Sequence, residues 1–167
     1  MKKPYFNVKT LFAIAAAVTA ASSAQASTSI GIGGGITAGG GSALVSSTAP
    51  TLGGELTFGV GNLSFGGRYM HDILSVSGGS GSRDFAAGLV RLTIPFSFGI
   101  FIDGMAGISS VKTTVGTAES SSSGFAVGFG AGSSIDLGPT FALMPRVGYR
   151  SNPSIFDVTL LFAFVVP

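Results

Sequence analysis

The chain has 167 residues, no cysteine, 27 glycines, 46% hydrophobic residues and only 10% Asp, Glu, Lys and Arg. Nine basic side chains stand against seven acidic ones, but Lys2, Lys3 and Lys9 sit at the extreme N-terminus, so the remainder carries six against seven, a net charge of −1. That excludes a basic nucleic-acid surface, a disulfide scaffold and a thiolate metal site, and it makes a poor surface for a soluble domain, where about a quarter of residues are charged.

In chain order, the three lysines precede an apolar, alanine-rich run at 11–21 and then Ser22-Ser23-Ala24-Gln25-Ala26, a small-x-small cleavage pattern. Residues 1–26 read as a secretory signal peptide, because a membrane-spanning helix needs about 20 apolar residues and this run is shorter. Residues 27–167 then form one domain, exported and cleaved near Ala26.

From there, apolar residues alternate with glycine or polar ones at period two, which argues for strands near 28–36, 52–60, 63–71, 85–94, 98–108, 125–135, 140–150 and 155–165. The glycine run at 31–35 lacks the Lys-Ser/Thr of a phosphate loop and belongs to the first strand. Gly61-Asn62 makes a two-residue hairpin turn that fixes the register and sets Glu55 opposite Arg68. Removing one partner of a dry pair costs about 3 to 5 kcal/mol, and exchanging the two residues should restore much of that. Asn62-Leu-Ser64 matches a glycosylation sequon, but turn chemistry explains it.

One phase runs through the strands. Ile30, Ile32, Leu56, Phe58, Val90, Ile102, Phe129, Val147, Phe156, Val158, Leu160, Phe162 and Phe164 share an apolar face, while Glu55, Arg68, Arg91, Asp103, Arg146 and Asp157 share the other with many glycines. Slipping a strand by one residue would turn an arginine to lipid at about 2 to 4 kcal/mol, so the apolar face is the lipid face. Three cations and three anions form a balanced lumen network, with Arg150 nearer the external rim. The inward glycines indicate curvature more than open space, and Pro145, which cannot donate to a ladder, indicates a bulge. The expected fold is all-β, an eight-stranded antiparallel up-and-down transmembrane barrel. Its lumen is wide enough only for side chains. Long connections at 37–51, 72–84 and 109–124 alternate with short ones, as external loops alternate with periplasmic turns, and their Gly, Ser and Thr content suggests mobile loops.

The strand segments Gly124-Phe-Ala-Val-Gly-Phe-Gly-Ala-Gly, Ala142-Leu-Met-Pro-Arg-Val-Gly-Tyr-Arg and Phe156-Asp-Val-Thr-Leu-Leu-Phe-Ala-Phe, with the turn Asp136-Leu-Gly-Pro, resemble those of small Gram-negative outer-membrane β-barrels of the OmpA and OmpX type. The resemblance implies insertion by the outer-membrane machinery, reading Phe156, Val158, Leu160, Phe162 and Phe164 of the last strand. Such chains commonly end on an aromatic residue, whereas this one continues through Val165, Val166 and Pro167. Tryptophan is absent, so an aromatic girdle falls to Phe65, Tyr69, Phe96, Phe98, Tyr149, Phe162 and Phe164.

His71 with Asp72 is the one candidate acid and base pair, and it reads as an external strand end. Glu55 and Asp103 read as counter-ions of arginine, not as paired carboxylates. No enzyme activity, metal or cofactor is expected. The function expected is structural or surface-interacting: a barrel set in outer-membrane lipid, presenting loops 37–51, 72–84 and 109–124 to a surface ligand. The alternatives are a narrow channel for ions or small solutes, and a soluble ligand-binding barrel, which needs the inverse pattern of an apolar lumen and a charged exterior.

Overall fold

A computed structural model describes residues 26–40, 45–94 and 99–166. Except for Ala26, which opens the first strand, the expected signal peptide lies outside these residues, as do Phe96 and Phe98. The strands are β1 (Ala26–Gly39), β2 (Thr48–Val60), β3 (Leu63–Val76), β4 (Gly79–Ile94), β5 (Ile100–Val115), β6 (Ala118–Ser133), β7 (Ile135–Asp136), β8 (Phe141–Arg150) and β9 (Ile155–Val166). All pairings are antiparallel between neighbours, β1 pairs β9, and β6 pairs β8, so the sheet closes. The two-residue β7 continues β6 in the same register against β8, which leaves eight staves.

Following paired residues around the wall gives the stagger: Thr28, Phe58, Phe65, Val90, Gly104, Phe129, Tyr149, Phe156 and then Ala38, ten residues beyond the start. A shear of ten over eight staves corresponds to a strand tilt of roughly 40°.

The alternation drives this closure. Ile32, Phe125, Phe129, Phe156 and Val158 point outward and are more than 60% exposed, whereas Glu55, Arg68, Arg91, Asp103, Arg146 and Asp157 are at most 5% exposed inside. Inward glycines serve two purposes. A β-carbon on Gly33, Gly35, Gly66 or Gly107 would overlap a carbonyl of the adjacent strand, so these positions mark the tight coil of the wall. A β-carbon on Gly130 or Gly148 would overlap the Arg146 guanidinium, and one on Gly132 the Phe101 ring, so these positions make room for lumen side chains.

Three expectations are corrected. First, 72–84 and 109–124 are not loops. β3 and β4 run on to a two-residue turn at Ser77-Gly78, β5 and β6 to one at Gly116-Thr117, and Gly78 and Gly116 have φ of 74° and 59°. These arms leave the lipid zone, so their outward face meets water and turns polar, while Leu74 and Val76 stay buried on the inward face and Ser, Thr and Val keep the chain extended. Within 37–51, residues 37–39 belong to β1 and 48–51 to β2, and the connection between them starts at Gly40 and ends at Ser47. Second, Pro145 causes no bulge. The register of β8 against β9 and against β6 with β7 is constant through it, and the ladder is only interrupted at Ser133 and Ser134, where Ser134 N donates to Gly99 O at 2.9 Å. Third, Arg150, the last residue of β8 and so nearer the external rim as expected, nevertheless belongs with the lumen charges: it is 1% exposed inside the barrel.

Candidate functional site: the lumen and the distal blade

Strand alternation aims nine charged side chains into the lumen, and they form one alternating series. Arg83 Nε donates to Asp72 Oδ2 (2.7 Å), as does Arg150 Nη2 (3.1 Å). Arg150 Nε lies 3.7 Å from Asp157 Oδ2, and Asp157 Oδ1 accepts from Arg146 Nη1 at 2.5 Å. Arg146 Nη2 donates to Asp103 Oδ1 (2.9 Å), and Arg91 Nη2 reaches Asp103 Oδ2 (3.4 Å). Arg91 also grips Glu55 through Nη1 (2.8 Å) and Nη2 (2.9 Å), and Arg68 closes the series, donating to Glu55 from Nε (3.1 Å) and Nη2. Every anion lies between two arginines, an arrangement that desolvated ions need. Among the described residues the lumen therefore holds five cations and four anions, not three of each, because Arg83, Asp72 and Arg150 join the six residues marked in the sequence. Extending the inward parity of Arg68 and Met70 to Asp72, and pairing it with Arg83 across the hairpin, would have found those two; treating 72–84 as a loop hid them.

Apolar side chains fill the rest. Phe101, Ala142, Met144, Leu161 and Ala163 cluster toward the termini, Met70, Phe85, Leu89, Met105 and Ala126 at mid-height, and Ala49, Leu74 and Val76 at the distal end. The Arg91 guanidinium lies 4.1 Å from the Phe101 ring centre, a favourable cation–π contact. A void of about 10 Å³ beside Thr51, Arg68 and Thr159 has room for about one water, and Thr51 Oγ1 is a buried hydroxyl with no protein partner. Among the described residues no group of three His, Cys, Asp or Glu could hold a metal ion.

His71 and Asp72 do not form a pair, because adjacent strand residues point to opposite faces: Asp72 is buried inside while His71 faces out. The partner of His71 is Asp84, at 2.8 Å from Nδ1, and Tyr69 Oη donates to the same carboxylate oxygen at 2.5 Å. Glu55 and Asp103 are separated by Arg91, which bonds both.

On the outer wall, Phe156, Val158, Leu160, Phe162 and Phe164 form the outward stripe of β9, 40% to 65% exposed. Phe129, Tyr149 and Phe156 stack in a row across three strands with ring centres 5.3 and 5.2 Å apart. Phe65 and Tyr69 also face out. Beyond Ile73, Ile108 and Phe125 the outward residues turn polar, and 72–76, 79–85, 109–115 and 118–124 continue as a four-stranded distal blade. Its faces carry Ser80, Ser82, Ser110, Lys112, Thr114, Glu119 and the run Ser120-Ser121-Ser122-Ser123.

A closed sheet with an apolar exterior and a charged interior defines a transmembrane β-barrel, since only full closure satisfies every strand inside lipid. No protein-family model matches the chain, and no curated protein does. Solved structures do match. The crystal structure of Neisserial surface protein A is 10% identical, with 83% of this chain and 96% of that one covered and a TM-score of 0.65. The N-terminal β-barrel domain of Pseudomonas aeruginosa OprF is 11% identical, covering 86% and 99%, with a TM-score of 0.59. Ail, the attachment invasion locus protein of Yersinia pestis, is 14% identical, covering 86% and 99%, with a TM-score of 0.55. The chain has the fold of the small eight-stranded outer-membrane β-barrels.

Proposed function

We propose that the protein is a surface-interaction barrel of the Gram-negative outer membrane, with the barrel as anchor and the distal blade as the presented element. The observation that carries this reading is the change of surface along single strands: β5 and β6 are apolar outside up to Ile108 and Phe125, and from there their outward face is polar out to a tight turn. At 16 residues each they exceed the 9 to 11 that cross a bilayer core. Presentation by paired strands replaces presentation by mobile loops, and a ligand would meet a prearranged surface. The names of two structural neighbours, a surface protein and an attachment invasion locus protein, agree with such a role.

Export would follow from the N-terminal segment ending near Ala26, and insertion from the outward stripe Phe156, Val158, Leu160, Phe162 and Phe164. The alternating ion series and the three apolar clusters support a filled lumen over a channel. The whole chain lacks cysteine, so Ser121→Cys gives one addressable thiol. A membrane-impermeant maleimide should label it on intact cells; labelling only after permeabilisation would overturn the orientation.

A further inference from the structure

We propose that the lumen binds one monatomic anion, a halide such as chloride, in the cavity beside Thr51, Arg68 and Thr159.

Charge sets the demand. Arg83, Arg150, Arg146, Arg91 and Arg68 alternate with Asp72, Asp157, Asp103 and Glu55, so among the described residues the series begins and ends on a cation and carries one excess positive charge. The chain has seven acidic side chains, and the other three are placed elsewhere. Asp84 lies on the outer face against His71 and Tyr69, Glu119 is exposed near the tip, and Asp136 is exposed on β7. Arginine stays protonated in proteins, so the excess is not relieved by losing a proton. A desolvated cation without a counter-ion is costly.

The cavity supplies the place. Gly33 and Gly53 face each other across β1 and β2 with no side chain to turn inward, and that opens the space. Thr51, Arg68 and Thr159 line it, and among the described residues its lining includes no carboxylate. Arg68 is one end of the ion series. Its Nε and Nη2 both donate to Glu55, whereas Nη1 has only Met105 Sδ and Asp103 Oδ2, each at 3.9 Å. Thr51 is 1% exposed, and its Oγ1 has no hydrogen-bond partner among the described residues. A buried hydroxyl left unpaired costs stability, and its hydrogen can be donated to an anion. The carboxylates in register with Arg68 and Thr51, those of Glu55 and Asp72, do not meet the need, because each is already held between two arginines.

Size selects the ligand. About 10 Å³ admits one body of about the size of water, which excludes phosphate, sulfate and carboxylates. A water would satisfy Thr51 and leave the excess charge in place. A halide does both, and it extends the series to an equal number of cations and anions. Apolar clusters fill the lumen at mid-height and toward both ends, so the ion is taken up as the barrel closes.

The test is urea unfolding of the full-length protein in lipid vesicles, in mixtures of sodium chloride and sodium gluconate at constant total sodium, gluconate being too large for the cavity. One bound ion predicts that the folding equilibrium constant rises tenfold for each tenfold rise in chloride above half-saturation. Thr51→Val keeps the side-chain shape and removes the hydroxyl. It should abolish the chloride dependence and be less stable than the parent in chloride. Without a bound ion the variant would lose only an unpaired hydroxyl and be at least as stable as the parent in both salts, and a water in the cavity would make it less stable equally in both. Either result overturns the site, as does a parent indifferent to chloride or a variant that keeps the parent's chloride dependence. Bromide gives a second, direct reading. Crystals of protein refolded in bromide should show one anomalous scattering peak in contact with Thr51 Oγ1, and a peak elsewhere in the lumen, or none, overturns the site.

Discussion

Replacing Glu55 by alanine probes the lumen where its ion series is densest. The carboxylate accepts from Arg68 Nε and Nη2 and from Arg91 Nη1 and Nη2, and it is 4% exposed. Removing it leaves Asp103 as the nearest anion for both Arg68 (3.9 Å) and Arg91 (3.4 Å), while Asp103 also serves Arg146 (2.9 Å). Stripping one partner from a buried pair costs about 3 to 5 kcal/mol, and because two guanidiniums lose their carboxylate here the loss should lie at the upper end. Glu55→Gln keeps an acceptor of the same shape, and losing charged hydrogen bonds alone costs about 1.5 to 3 kcal/mol. Exchanging Glu55 and Arg68 should not rescue, against the pairwise expectation from sequence, because an arginine at 55 would face Arg91. Urea unfolding in lipid vesicles, followed by the shift between folded and unfolded bands on unheated gels, measures all three. A loss under about 1 kcal/mol for Glu55→Ala, or recovery in the exchanged protein, would refute the linked series.

Gly130→Ala should lose about 1 to 3 kcal/mol in the same assay because its methyl group displaces the Arg146 guanidinium, whereas Gly104→Ala, outward with open space around it, should be neutral. Pro145→Ala supplies the ladder donor missing opposite Ser133 and should stabilise by about 0.5 to 1 kcal/mol; a destabilised variant would mean that the proline holds a shape the register does not show. Tyr149→Leu breaks ring contacts to Phe129 and Phe156 and should cost about 1 to 3 kcal/mol, read from the same unfolding curves.

Much of the barrel is legible in the residues, for a physical reason. Within lipid a strand must be apolar on one face, so Phe125, Val127 and Phe129, or Phe156, Val158 and Leu160, announce both strand and direction, and the Gly61-Asn62 turn fixes the β2 and β3 register in which Glu55 faces Arg68. Beyond the lipid that constraint lapses. Ser120 to Ser123 look like loop composition, yet they pair residue by residue with Thr113 to Ser110. The same lapse hid Asp72 and Arg83, whose side chains point inward from strand arms. Contacts such as Arg146 with Asp103, or Arg150 with Asp72, join strands that are not neighbours in sequence. They depend on a stagger of ten that only closure of the whole ring sets. Pro145 shows another limit: a missing donor signals a gap in a ladder, but whether the backbone bulges or merely skips a bond is settled by both neighbouring strands.

The most direct test of the account is the phase of the last strand in a membrane. Nitroxide labels at single cysteines from position 156 to 164 should show oxygen accessibility that is high at 156, 158, 160, 162 and 164 and low at 157, 159, 161 and 163. Accessibility that is uniform, or high at the odd positions, would contradict a lipid-facing apolar wall around a charged interior.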